Sequence, residues 1–330
     1  MTKRRNFIKT AGGLGVAGLL AGCTSDNNDN SGGGDGDGTP TATDEPTATP
    51  TEVPYNDGRL TFYMSPSEPQ QLMESQYAPV KSHLEEETGV QTRLNYAAGY
   101  SAVLQSLGGG SGDVAETGPF AAALGVKEDR CDVALQRYAY GSWEYSSVIV
   151  TQEGSDIESL SDLEGERVAF ADRLSASGAL FPLYMLKEAG LNIGDLPTDS
   201  AGANFTPQFS SHAEAFAALE RGQVAAAGVG KFITLNDARE LKDGFRYVET
   251  YDGIPRAPVI VSPELSDEEK SEVTQAFLDA PDSVYYGEDG EEGTDDDLWF
   301  SDVREASVED YQPVVDVATE LGISAELLDG

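Results

Sequence analysis

The stretch Arg167-Val168-Ala169-Phe170-Ala171-Asp172-Arg173-Leu174-Ser175-Ala176-Ser177-Gly178 decides the fold. Arg167 to Ala171 is a short apolar run of strand length, and from Ser177 to Ala189 the spacing is helical until Gly190 stops it. A strand that passes directly into a helix is half of a βαβ unit. The punctuation then repeats: Phe205 to Phe209 reads as a strand, His212 to Arg221 as a helix closed by Gly222, and Val224 to Val229 as a buried strand. Towards the N-terminus the same alternation appears. Leu60 to Met64 is a strand, Ser67 is expected to cap a helix that runs to about Glu87 and stops at Gly89, and Gln91 to Ala97 is a second strand. Tyr100 to Leu107 is a short helix, Asp113 to Ala115 a third strand, and Pro119 opens another helix.

Two further strand-like segments, Tyr145 to Thr151 and Ala257 to Ser262, are placed to carry the chain out of one lobe and back. The helices Asp267 to Leu278 and Val308 to Leu321 are expected to return to the first lobe. The expectation is therefore an α/β protein of two lobes, each a mostly parallel sheet flanked by helices, with residues 58–148 and 256–330 in lobe one and 149–255 in lobe two. No internal repeat is visible.

Composition narrows the function. The chain of 330 residues carries 58 acids against 21 bases, a formal charge of −37. Such a polyanion is repelled by nucleic acid and by anionic membrane surfaces, which excludes both as partners of its exposed face. Two cysteines, Cys23 and Cys131, and two histidines, His83 and His212, are too few for a disulfide framework or an imidazole- or thiolate-rich metal centre. No metal or cofactor is expected. Only eight lysines are present and the acids are spread along the folded region, so self-repulsion is large at ordinary ionic strength. At about 1 M salt the screening length falls to roughly 3 Å and most of it disappears, a pattern that resembles proteins of salt-dwelling archaea. The run Glu288 to Asp297 has seven acids in ten residues but lacks the order of a calcium loop, and is read as a solvated loop.

The first residues are an address. Lys3, Arg4, Arg5 and Lys9 precede an apolar run from Ala11 to Ala21, shorter than the roughly 20 residues that span a bilayer. Arg4-Arg5-Asn6-Phe7-Ile8-Lys9 resembles a twin-arginine export signal, and Leu20-Ala21-Gly22-Cys23 resembles a lipobox whose Cys23 is lipidated. Residues 1–23 are thus expected to be the signal, and 24–57, nearly all Asp, Asn, Gly, Ser, Thr and Pro, a disordered tether. The mature protein would be exported and lipid-anchored to the outer face of the cytoplasmic membrane.

In open α/β sheets ligands bind beyond the carboxyl ends of strands, where helix N-termini present free N–H groups. Four such junctions stand out. Ser175-Ala176-Ser177-Gly178 offers two hydroxyls and free backbone donors, although a plain serine cap fits the same letters. Ser210-Ser211-His212 places an imidazole at a helix start, where it tends to be neutral and has one N–H to give. Ala97-Ala98-Gly99-Tyr100-Ser101 and Glu116-Thr117-Gly118-Pro119 add the Tyr100 and Thr117 hydroxyls, with Gly99 and Gly118 expected to allow close backbone approach. Convergence of the four on one cleft describes an anion cradle. No nucleophile elbow, P-loop or H-E-x-x-H motif is present, so a binding protein fits better than an enzyme.

From Leu60 to Leu321 the chain resembles the phosphonate/phosphate/phosphite-type substrate-binding proteins of ABC transporters, a branch of the type II periplasmic-binding fold. The residues that carry the resemblance are Tyr100, Asp113-Val114-Ala115-Glu116-Thr117-Gly118-Pro119, Tyr145 to Val150, Ser175-Ala176-Ser177-Gly178, Ser210-Ser211-His212 and Ile254-Pro255-Arg256-Ala257-Pro258. The resemblance implies that Tyr100, Tyr145, Ser175, Ser177 and His212 hold a tetrahedral oxoanion, with the Ala176 and Ser177 N–H groups added. It implies ABC permease and ATPase subunits as partners, and a monomeric receptor. Relatives that take an aminoalkyl phosphonate need carboxylates for its ammonium, whereas Lys231, Arg256 and Ala257 in the corresponding region are not acidic. Phosphate, phosphite or a small alkylphosphonate is therefore the expected ligand. A receptor for a sulfonate or a thiamine precursor on the same fold remains open, as does a tetrapyrrole-building deaminase, which would require a cofactor-bearing cysteine in the cleft.

Overall fold

The computed structural model describes residues 54–328 apart from 56, 237 and 324. Arg4, Arg5, Cys23 and the tether up to residue 53 lie outside the described residues. The strands are β1 (Arg59–Met64), β2 (Gln91–Tyr96), β3 (Val114–Glu116), β4 (Asp132–Tyr138), β5 (Glu144–Gln152), β6 (Arg167–Phe170), β7 (Thr206–Phe209), β8 (Ala226–Gly230), β9 (Phe245–Pro255), β10 (Pro258–Val261) and β11 (Asp302–Glu305). The helices are α1 (Gln70–Gln76), α2 (Ala78–Thr88), α3 (Tyr100–Gly108), α4 (Pro119–Lys127), α5 (Phe181–Glu188), α6 (His212–Glu220), α7 (Asp267–Leu278) and α8 (Gln312–Glu320).

The strands form two sheets, ordered β11-β4-β10-β3-β1-β2 and β7-β6-β8-β5-β9. Each is mixed rather than mostly parallel. β1 runs parallel to β2 and β3, and β6 to β7 and β8, through helical crossovers. The returning strands β4, β5, β9, β10 and β11 pair antiparallel with their neighbours. The strand-like run that begins at Cys131 becomes β4, whereas β9 and β11 were not anticipated; Asp302-Val303-Arg304-Glu305 is too polar and too short to show an apolar alternation. β5 belongs to the second sheet from Glu144 onward, where Glu144 opposes Pro255. The chain thus leaves the first sheet at the Ala139–Ser142 bridge and re-enters it through Arg256-Ala257.

Packing follows from the strand faces. Leu60, Phe62 and Met64 point to one side of the first sheet and bury against Val80, Leu84, Val273 and Phe277. On the other side Ala115 and Ile260 meet Leu104, Phe120 and Val314, and the same cluster takes in Leu174, Leu180, Phe181 and Ile254 from the second half. At about 1.5–3 kcal/mol for each large apolar side chain fully buried, this shared cluster fixes how the two sheets meet.

Three local expectations change. The helix foreseen up to Glu87 breaks at Tyr77, because Pro79 has no N–H with which to continue the ladder. Ser67 does not cap it; Pro69 holds the cap position, and the Ser67 hydroxyl donates to Met73 Sδ. Gly89 stops α2 with φ of 69°, in the left-handed region that favours glycine. The helix foreseen from Ser177 begins as a π-turn over Ala176–Leu180, and that foreseen from Val308 begins as a 3-10 turn over Val308–Tyr311. Tyr55, which the composition assigns to the tether, is buried: its N–H donates to Glu269 at 2.6 Å and its hydroxyl to Glu272 at 2.7 Å, both on α7. In the acidic loop, Asp296 accepts the N–H groups of Glu288 and Asp289, and Asp297 accepts that of Gly293.

Candidate functional site

A cavity of about 330 Å³ lies where the carboxyl ends of β3 and β6 face one another. Tyr100, Thr117, Tyr145, Ser175, Ala176, Ser177 and His212 all line it. With Pro119, the first residues of α3, α4, the π-turn and α6 all line it, so four helix starts meet one space. The cavity adjoins a wider one of about 630 Å³ that shares Ser67, Tyr100 and His212.

The second-sheet half is built around Ser175. After β6, Asp172 accepts the Leu174 N–H and the Ser175 hydroxyl accepts the Gly178 N–H at 3.1 Å, which starts the π-turn. A Cβ on Gly178 would sit 2.2 Å from the Ala171 Cβ and 2.7 Å from His212 Cε1, so glycine alone lets the turn lie against both. His212 opens α6, whose cap Ser211 accepts the Glu214 N–H. The Gly230 N–H donates to His212 Nδ1 at 3.1 Å, which leaves the ring hydrogen on Nε2, 3.0 Å from Ser175 Oγ. Burial pushes this imidazole down to about 4, so it is neutral at neutral pH. The single N–H expected to face an anion is therefore given to Ser175. With two N–H groups arriving, Ser175 is left to donate its own proton onward.

Tyr145 projects from β5 and its hydroxyl is hydrogen-bonded with Ser177; burial pushes it up to about 12, so it stays a donor. Tyr100 is raised further by burial and by the Glu116 and Asp172 carboxylates. In the first-sheet half, the Thr117 side chain is 1% exposed and its Oγ1 has no hydrogen-bond partner. Gly118 lies against Tyr100, where a Cβ would come within 3.3 Å of the ring. Gly99 differs from expectation: its backbone is extended and a Cβ there would meet open space, so nothing requires glycine.

Charge in the cavity comes from residues that the sequence reading did not assign to the site. Arg137, on β4, is 1% exposed and forms an ion pair with Glu116 at 2.8 Å. Its other donors go to Ala257 O, Thr117 O and the Tyr77 hydroxyl, its guanidinium lies 4.5 Å from the Trp299 ring centre, and Glu116 also accepts the Ser65 N–H. The pair is closed on itself. Arg256 is different: its Nε donates to Ser142 O at 2.9 Å, and its guanidinium lies over Tyr140 and Tyr145 at 5.5 and 5.8 Å. The signal that could have found Arg137 is a lone cation inside an apolar strand; Arg256 stood in plain view within Ile254-Pro255-Arg256-Ala257-Pro258. Lys231 does not line this cavity, and its ammonium lies 5.5 Å from the Tyr247 ring. Cys131 is buried in the apolar cluster with its thiol pushed up to about 12, and does not line the cavity.

Comparison with known proteins places this geometry. The profile of the family described as "ABC transporter, phosphonate, periplasmic substrate-binding protein" matches residues 62–311. The chain is 26% identical over 193 residues to the phosphate-import protein PhnD of Mycolicibacterium smegmatis, covering 56% of this chain and 60% of that protein. It is 29% identical over 141 residues to the phosphonates-binding periplasmic protein of Escherichia coli, covering 41% and 42% respectively. The chain therefore spans only 42–60% of the length of these curated relatives. The structure of PhnD1 from Prochlorococcus marinus in complex with methylphosphonate superposes with a TM-score of 0.63 at 15% identity, covering 80% of this chain and 98% of that one. That likeness establishes the fold, two mixed sheets flanked by helices as in type II periplasmic-binding proteins. The chain belongs to the phosphonate-type periplasmic substrate-binding proteins of ABC transporters, a family of receptors and not of enzymes.

Proposed function

We propose that this member of the phosphonate-type receptors captures a phosphorus oxoanion in the cavity between its two sheets and delivers it to the permease and ATPase of an ABC importer. The observation that carries the reading is the buried Thr117 hydroxyl without a partner, in a cavity where four helix starts and the Ser175, Ser177, Tyr100 and Tyr145 hydroxyls converge. A buried unpaired hydroxyl costs about 1–3 kcal/mol, and an acceptor oxygen of a bound ligand removes that cost. Phosphate, phosphite or a small alkylphosphonate fits best, because the acids in the cavity wall, Glu68 and Glu116, are engaged by Gln76 and Arg137. The relatives named for phosphate import and for phosphonate binding support the same chemistry.

The basic start, the apolar run and Leu20-Ala21-Gly22-Cys23 support export through the twin-arginine route and lipidation at Cys23. The net charge of −37 supports work in concentrated salt. Lobe closure on the two crossover segments would complete the anion's hydrogen bonds from both sides. Calorimetric titration of the chain in high salt with phosphate, phosphite, methylphosphonate and 2-aminoethylphosphonate tests the reading. Saturable binding of one of the first three is expected, and silence from all four in a folded sample would refute an oxoanion receptor.

A further inference from the structure

Arg256 is 8% exposed and held in place on three sides. Its N–H donates to Trp143 O, its carbonyl accepts from the Tyr311 hydroxyl, and its Nε donates to Ser142 O. The terminal nitrogens of the guanidinium have no protein acceptor among the described residues, although they belong to a side chain that lines the cavity. The other arginine in that wall, Arg137, has every branch bonded and a carboxylate against it. The wall's other acid, Glu68, makes no ion pair with Arg256 among the described residues and takes the Gln76 amide instead.

A second cation stands close by: Arg239 lies 3.7 Å from the Tyr140 ring centre, and Arg256 lies 5.5 Å from it. In a chain with 58 acids and 21 bases, a fixed guanidinium without a counter-charge is an unusual use of a base. Desolvation penalises it until an anion arrives, and the planar fork suits a pair of charged oxygens better than one. Tyr145 links it to the cradle, since Arg256 sits over the Tyr145 ring whose hydroxyl reaches Ser177.

Resting on the oxoanion reading above, we propose that Arg256 is a specificity-determining residue: its terminal N–H groups pair with the second negative charge of the bound head group. The cavity then selects a dianion over a monoanion of the same shape and disfavours a ligand with a cationic substituent.

The test compares methylphosphonate, at a pH where it is a dianion, with methanesulfonate and 2-aminoethylphosphonate, on the native chain and on Arg256→Gln and Arg256→Lys. The native chain is expected to favour methylphosphonate over both. Arg256→Gln should lose roughly 10- to 100-fold in methylphosphonate affinity and far less for methanesulfonate, which narrows both preferences. Arg256→Lys should keep most of the preference for the dianion. The native ratio needs no variant to fold, and equal affinity for methylphosphonate and methanesulfonate overturns the proposal by itself. Native binding with the same ligand preferences in Arg256→Gln overturns the role of Arg256 alone. Failure of the native chain to bind any tetrahedral anion overturns the receptor reading, and this one with it.

Discussion

At the end of β6, Ser175 receives two N–H groups, Ser177 is engaged by Tyr145, and the His212 ring is held at both nitrogens. At the end of β3, the Thr117 hydroxyl meets nothing, beside an ion pair whose members satisfy one another. One junction is prepared in advance, so a ligand finds its donors already oriented; the other is rigid but incomplete, so a ligand supplies what the protein lacks. Preparation lowers the ordering cost of binding, and incompleteness adds a reward that only an acceptor can collect.

The largest expected effect falls on the first-sheet side. Glu116→Ala would leave the Arg137 guanidinium buried without a carboxylate, and should lower stability by about 3–5 kcal/mol in denaturant unfolding. A loss under about 1 kcal/mol would show that the strut between β3 and β4 is not what stiffens this half.

On the second-sheet side, Ser175→Ala and His212→Ala should each weaken the ligand found by titration by about 1.5–3 kcal/mol. Because His212 acts through Ser175, the double variant should lose little more than either single one. Additive losses would give His212 its own contact with the ligand and erase the contrast with Thr117.

Acid probes the same ring. The His212 pKa in the folded protein, about 4, lies below the ordinary value of 6.5, so the unfolded chain takes up its proton first. The stability that this ring contributes should be intact above pH 6.5 and decline towards pH 4, by roughly 3 kcal/mol relative to His212→Gln. A pH-independent difference between the two proteins would mean that the ring is not held neutral.

The smallest effect is the sharpest in sign. Thr117→Val removes an unpaired buried hydroxyl, so the ligand-free protein should gain up to about 1 kcal/mol while ligand affinity falls by about as much. Parallel losses of stability and affinity would show that the hydroxyl is already bonded when the cavity is empty.

Much of this was legible in the letters. Helix starts at Gly118-Pro119, Ser175 and Ser211 carry local chemistry that survives folding, and the six residues named from such junctions line one cavity together with Tyr145, which the family resemblance added. What escaped was long-range. Arg137 matters because β4 lies two strands from β3 in the first sheet, with β10 between them, and no local pattern announces that neighbour. The donor that holds His212 Nδ1 is the Gly230 N–H, 18 residues on at the end of β8, a contact that no local pattern announces. The parallel character of the sheets was overstated because a returning strand looks like any other strand until its partner is known.

The turn at Ala176–Leu180 has a consequence of phase. A π-turn is a helix with one residue to spare, and here the Leu180 N–H bonds back to Ser175 O across five residues. Deleting a single residue from it would regularise the helix and rotate everything upstream by about 100° relative to α5. Phe181 and Leu183 could keep their places in the core while Ser175 and Ser177 swung out of the cavity wall. The cradle is in this sense a matter of counting: the same serines, one residue out of step, would cap a better helix and face a different direction.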